Sequence, residues 1–170
     1  YNGLKHLQVC YDSLRRQTYK NFKIILVDNN SADESVAFTN QNYPEVITLK
    51  LSSNTGFAKA VNEGIKYALN DKETEYVILL NNDIECDTEF VNQMYLAIKE
   101  NNTGSAACKM LNFFDRTKID DAGDFLKGKG SPFARGYSEK DIGQYDAPGL
   151  IFGACAGAAI YKKEVFENTG

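Results

Sequence analysis

Tryptophan is absent from this chain, histidine occurs once, at His6, and only three prolines interrupt 170 residues. One histidine excludes a multi-histidine metal site. With no G-x-S-x-G turn, a serine-hydrolase triad is excluded as well. His6 falls in an amphipathic helical stretch and reads as a solvent-facing residue. The four cysteines, Cys10, Cys86, Cys108 and Cys155, form no C-x-x-C and match no zinc spacing. They read as reduced, partly buried thiols of a cytosolic protein. A G-x-G-x-x-G dinucleotide turn and a G-x-x-x-x-G-K-[ST] phosphate loop are both missing. Gly128 and Gly130 flank Lys129 without the strand–helix setting a phosphate cradle needs. No apolar run is long enough to span a bilayer. Basic residues are in deficit, with a net charge of −4, which argues against a nucleic-acid surface. A small phosphate site served by one metal ion and backbone amides is compatible with that charge.

What is present is an ordinary globular composition, 43% apolar and 25% charged, in a length that suits one domain with a sizeable core. Leu4, Leu7, Tyr11 and Leu14 recur at helical spacing, so a helix runs from near Gly3 to before Tyr19. "FKIILVD" predicts a buried strand over 22–28, and "SADESVAFTNQNYP" a helix over about 32–41 stopped by proline. "VITLKL" is a strand, and "GFAKAVNEGIKYALN" a helix with Phe57, Ala60, Val61, Gly64, Ile65 and Ala68 on one side. "YVILLNN" is a third strand, followed by a helix capped by Asp87 or Thr88. "GSAACKMLNF" is a fourth strand. Alternating strands and helices predict an α/β fold with a mostly parallel sheet covered on both faces. Residues 114–149 lose this periodicity and read as a loop-rich excursion with a hairpin across "FLKGKGSPFARGY". Asp121 and Asp124 lie there and read as surface groups. The chain closes on small residues around Gly153 and Gly157 and a short helix ended by Gly170.

Two strands end alike, in "ILVDNNS" and "ILLNNDIE", and parallel sheets bind ligands beyond the carboxyl ends of their strands. Carboxylates with amide oxygens suit a hard divalent ion, Mn2+ or Mg2+, able to neutralise a departing diphosphate. Each residue also has a plainer use. Asp28 and Asn29 could cap the helix at 32, Asn54 and Gly56 could form only a turn, and Lys59 could be a solvated charge.

"QTYKNFKIILVDNNSADES", "NTGFAKAVNEGI", "YVILLNNDIECD" and "GACAGAAIYKKEVFENTG" resemble, in order and over nearly the whole chain, the inverting nucleotide-sugar glycosyltransferases of family two with a GT-A fold. The rhamnosyltransferase-like branch is the most similar. The resemblance implies that Tyr1 packs on a nucleobase and that Asp28 and Asn29 meet its pyrimidine edge. It implies that Asn54 and Gly56 form the turn before the long helix, and that Lys59 reaches the nucleotide or diphosphate. "NND" stands at the D-x-D position, with Asn82 near the ribose or sugar, Asp83 as metal ligand and Glu85 as second choice. It implies a UDP- or dTDP-sugar donor, a saccharide or lipid-linked acceptor, and Mn2+ or Mg2+ as cofactor. Residues 1–113 would form the nucleotide-sugar half and 114–170 the acceptor side. The strand before Tyr1 and the general base, placed beyond Gly170, are expected outside this sequence. The expected setting is bacterial surface-polysaccharide synthesis in the cytoplasm, with peripheral contact at the inner membrane face. The alternative is a catalytically silent nucleotide-sugar-binding module of a larger protein.

Overall fold

The computed structural model describes residues 1–169, so the expected helix stop at Gly170 lies outside the described residues. The chain forms two compact units, residues 1–77 with 82–91, and residues 78–81 with 92–170.

The first unit opens with α1 (Leu4–Arg15), whose Leu7, Cys10, Tyr11 and Leu14 are buried along one face. β1 (Ile25–Asp28) and β2 (Ile47–Lys50) pair in parallel, with Ile25 opposite Ile47 and Asp28 opposite Lys50. α2 (Ser35–Asn42) connects them and α3 (Phe57–Leu69) follows. Leu7, Tyr11, Tyr43 and Val46 make a core cluster onto which Ile24, Leu26 and Phe38 pack. The rings of Tyr11 and Tyr43 lie 4.7 Å apart, an arrangement that adds to their area burial. The Tyr43 hydroxyl donates to Asp12 at 2.8 Å, so its polar tip is satisfied. Gly64 lets α3 press onto β1: a Cβ there would stand 2.6 Å from Val27 Cγ2.

Three expectations shift in this unit. The first strand is shorter than 22–28, because the ladder begins only at Ile25. The second helix starts at Ser35 rather than 32, because Asp33 accepts from the Ser35 amide and hydroxyl and holds the preceding residues in a turn. Phe57, expected on the apolar side of α3, is 65% exposed at its first turn.

The second unit is built on a sheet of order β3-β9-β4. β3 (Tyr76–Leu80) is where the chain passes from one unit to the other. β4 (Ser105–Ala107) pairs antiparallel with β9 (Ala158–Lys162), Ala106 opposite Ile160. Ala158, Ala159 and Ile160 are buried, as befits a central strand, and so are Met94 and Ile98 of α4 (Phe90–Glu100). The single strand expected over 104–113 is two: the pairing breaks at Cys108 and Lys109, and β5 (Met110–Leu111) joins β6 (Ile119–Asp121) instead. The expected hairpin is present as β7 (Asp124–Lys127) and β8 (Ser131–Ala134), turning through Gly128 and Gly130 at positive φ. Lys109 ties the later turns together by pairing with Asp141 at 2.8 Å and with Asp146. The chain ends in α5 (Lys163–Thr169). Asp121 corrects a reading: it is 5% exposed, not a surface group, because β6 is bonded both to β5 and to the 135–139 segment, and its carboxylate accepts from the Gly123 amide at 2.6 Å.

Candidate functional site

Every residue proposed for donor binding, Tyr1, Asp28, Asn29, Asn54, Gly56, Lys59, Asn82 and Asp83, lies in the first unit, as does Glu85. Three loops carry them, and hydrogen bonds tie the loops to one another. β1 ends at Asp28, which is buried; its two carboxylate oxygens share the Ser31 amide at 3.2 Å each. Ser31 in turn accepts from the Asn2 amide at 2.9 Å, and Asn2 Oδ1 accepts from the Ala32 amide at 2.9 Å. Asp33 reaches the Leu4 amide at 3.1 Å and so caps α1, whose own N-cap, Gly3, has no side chain to do it. Partial burial works against the Asp33 charge, but hydrogen bonds from Ser35 and Leu4 hold its carboxyl below the usual range. The segment Tyr1–Gly3 is therefore stitched to the loop that leaves β1, and Tyr1 stands 63% exposed at its end.

The same segment meets the turn after β3. A Cβ on Gly3 would lie 2.0 Å from Asn82 Nδ2, so only glycine lets that amide lie where it does. Asp83 follows in the turn with its side chain exposed.

The third loop precedes α3. Asn29 Nδ2 donates to Asn54 Oδ1 at 3.0 Å and to the Gly56 carbonyl at 3.2 Å, and Asn29 Oδ1 accepts from the Thr55 amide at 2.8 Å. The amide of Asn29 is thus spent on the chain: it shapes the 54–56 loop and presents no free edge to a ligand. Gly56 adopts φ +81° with open space around the missing Cβ, and Asn54 Oδ1 also accepts its amide at 3.0 Å. α3 starts with no side-chain cap, so its first amides face outward with the positive end of the helix dipole. Lys59 is exposed in the first turn.

The sequence reading missed the residues that hold the Asp83 turn in place. Gln17, fully buried, donates to the Ser13 carbonyl at 3.1 Å and the Asp87 carbonyl at 2.6 Å, and accepts from the Val91 amide at 2.9 Å. Ser13 Oγ accepts from the Cys86 amide at 3.0 Å. Asp87, not Thr88, makes the turn into α4, accepting from the Glu89 amide at 2.9 Å. A faint signal existed: Ser13 and Gln17 stand four residues apart beside the apolar Cys10 and Leu14, a polar pair on a buried face. Burial pushes the Cys10 thiol up to about 12, with the Cys86 thiol and the Asp83 carboxylate adding to the push. Cys86 rises to about 11, mainly through burial.

Among the described residues no three His, Cys, Asp or Glu side chains gather as a metal cage. Glu85 turns its Oε1 to Arg16 at 3.5 Å. One exposed carboxylate fits a hard cation that keeps waters and takes its other ligands from a diphosphate, as Mg2+ commonly does.

A β1 end, a glycine-seated Asn-Asp turn and an uncapped helix behind an Asn-x-Gly turn make up one unit, and a single family model covers residues 1–170. The chain belongs to glycosyl transferase family 2. Its sequence is similar to glycosyltransferase GlyG of Streptococcus pneumoniae, 33% identical over 104 residues, covering 59% of this chain and 33% of that protein. Its fold matches Staphylococcus aureus TarS 1-349 with a TM-score of 0.69 at 19% identity, over 99% of this chain and 46% of that one. It also matches the mannosyltransferase PcManGT of Pyrobaculum calidifontis, solved with GDP-Man and Mn2+, with a TM-score of 0.66 at 14% identity, over 100% of this chain and 44% of that one. These likenesses establish the α/β GT-A fold. The chain spans a third or less of the length of the curated relatives it matches. No helix among the described residues is long and apolar enough to cross a membrane.

Proposed function

We propose that this domain transfers a sugar, a hexosyl or rhamnosyl group, from a nucleoside-diphosphate donor to a saccharide or lipid-linked acceptor with inversion, in bacterial surface-polysaccharide synthesis. The observation that carries the reading is the seating of Asn82 on Gly3. It brings the Tyr1 segment and the Asp83 turn to one place, where a nucleobase and its diphosphate have to be bound together. The exposed Tyr1 ring stacks on a pyrimidine base of a UDP or dTDP moiety. Asn29 contributes through the Asn54–Gly56 loop it holds, and Lys59 with the first amides of α3 attracts phosphate oxygens. Asn82 faces the ribose or sugar. Asp83 holds a divalent cation, Mn2+ or Mg2+, with Glu85 as its reserve. When bound, that ion supplies positive charge to the leaving diphosphate. This chain's residues bind and orient the donor; deprotonation of the acceptor hydroxyl is assigned to no carboxylate described here. PcManGT, with its Mn2+ and GDP-Man, supports the metal reading by analogy of fold.

The test is a thermal-shift panel of UDP, dTDP and GDP, each with and without Mn2+. Binding to the native state raises the melting temperature by mass action. We expect a metal-dependent rise with UDP or dTDP that Asp83→Ala abolishes. An equal rise in that variant would refute the role of Asp83. Nucleotide binding without any sugar transfer in the full-length protein would favour a silent binding module.

A further inference from the structure

Arg135, at the end of β8 in the second unit, is unlike the arginines of the first. Arg15 grips Glu45 at 2.6 Å and Arg16 faces Glu85 at 3.5 Å. Arg135 is half-buried and has no carboxylate partner among the described residues. Its backbone is locked in both directions, donating to the Gly123 carbonyl and accepting from the Ala122 amide, both at 2.9 Å. Its Nε donates to the Ala122 carbonyl at 2.9 Å. Its guanidinium lies over two rings, 5.1 Å from the centroid of Phe125 and 4.8 Å from that of Tyr145. The acid drawn toward Tyr145, Glu139, is used by the Tyr145 hydroxyl at 3.1 Å and by Gln144 at 3.3 Å. So the side chain is fixed by one hydrogen bond and two ring faces, and the donors on Nη1 and Nη2 have no partner among the described residues. Beside Nη1 stands Gly149, whose absent Cβ would be 3.8 Å away; lacking a side chain, it leaves that edge open.

A half-buried charge with no counter-charge is costly unless something supplies one. A planar fork already held in place loses little entropy on pairing, and it matches the two-oxygen edge of a phosphate. We propose that Arg135 is a phosphate-binding residue, its Nη edge recognising a phosphate-bearing ligand of the transferase. The inference rests on the transferase reading. The phosphate belongs either to a free diphosphate or to a phosphate-bearing acceptor, and the two sources are separable.

Calorimetric titration of the chain with inorganic pyrophosphate, UDP and glycerol phosphate makes the test. Arg135→Gln should weaken at least one probe about tenfold (about 1.4 kcal/mol). Arg135→Lys should lose part of that affinity, since it keeps the charge but not the fork. Gly149→Val covers the Nη1 edge without replacing the arginine or its rings, and should weaken the same probe while the melting temperature holds. Weakened pyrophosphate and UDP identify a diphosphate ligand; weakened glycerol phosphate alone identifies a phosphate-bearing acceptor. No binding by the unaltered chain, or unchanged affinities in Gly149→Val, overturns the proposal. UDP binding that Asp83→Ala abolishes but both Arg135→Gln and Gly149→Val retain rejects Arg135 and leaves the proposed donor site standing.

Discussion

The missing Cβ of Gly3 would lie 2.0 Å from Asn82 Nδ2, closer than two such atoms can stand. The atom it would strike is the far end of a side chain, and the Gly3 φ of −98° suits any residue. Gly3→Ala should therefore fold, at a cost below about 1.5 kcal/mol, by swinging the Asn82 amide aside. Nucleotide affinity should fall about tenfold or more, since misplacing a binding group by an ångström is enough. Urea titration and UDP thermal shift on the same variant check both halves. Unchanged UDP affinity would remove Asn82 from the site.

Gln17→Leu keeps the volume but orphans the Val91 amide and the Ser13 carbonyl, while the Asp87 carbonyl keeps the Phe90 amide at 3.1 Å. Buried groups left unpaired cost about 1–3 kcal/mol each. We expect a loss of about 2–5 kcal/mol in urea denaturation, with faster hydrogen exchange at the Val91 amide. A loss under about 0.5 kcal/mol would show the bracket is dispensable.

The Cys10 and Cys86 thiols, raised from 9.0 to about 12 and about 11 by burial, make the fold alkali-sensitive. Below pH 9 both are protonated in the folded and unfolded chain, and their contribution is fully present. Above it the unfolded chain releases protons that the folded chain keeps, so stability falls, by up to about 1.4 kcal/mol per pH unit for each thiol. The loss should run from pH 9 to 12 and shrink in Cys10→Ala. At pH 8 both thiols should react with a disulfide reagent only as fast as the protein unfolds.

Asp121 is held above the usual carboxylate range by burial, with Asp124 adding to the push against the hydrogen bond from Gly123. The sign is then the reverse of an ion-paired aspartate: its contribution is present at acid pH and lost as pH rises through the folded pKa. Asp121→Asn keeps an oxygen for the Gly123 amide. It should raise the melting temperature at pH 7 and change it little at pH 3.5. A lower melting temperature at pH 7 would mean the charge is used by an unidentified partner.

Much of the first unit was legible because its signals are local. The period of Leu7, Tyr11 and Leu14 reports the buried face of α1 directly. The hairpin of the excursion was legible from its paired glycines, Gly128 and Gly130. β9 was not, because its opening residues Ala158 and Ala159 have poor strand propensity and hold their place only by being buried in a strand that lies between two others. Nor could spacing reveal the break after β4, since one apolar run can feed two pairings when different partners compete for it.

By itself the sequence determined the alternation of strands and helices and the polar strand ends at Asp28 and Asp83, because periodicity and residue chemistry are properties of neighbours in the chain. The tertiary structure decided what those ends do. It set the Asn29 amide on the 54–56 loop, 25 residues away, and gave Arg135 no carboxylate partner among the described residues. It seated Asn82 on Gly3 and gave the buried Gln17 the task of holding the segment beyond Asp83. A hydrogen bond or a missing methyl group acts through distance in space, and the spacing of residues along the chain carries no record of it.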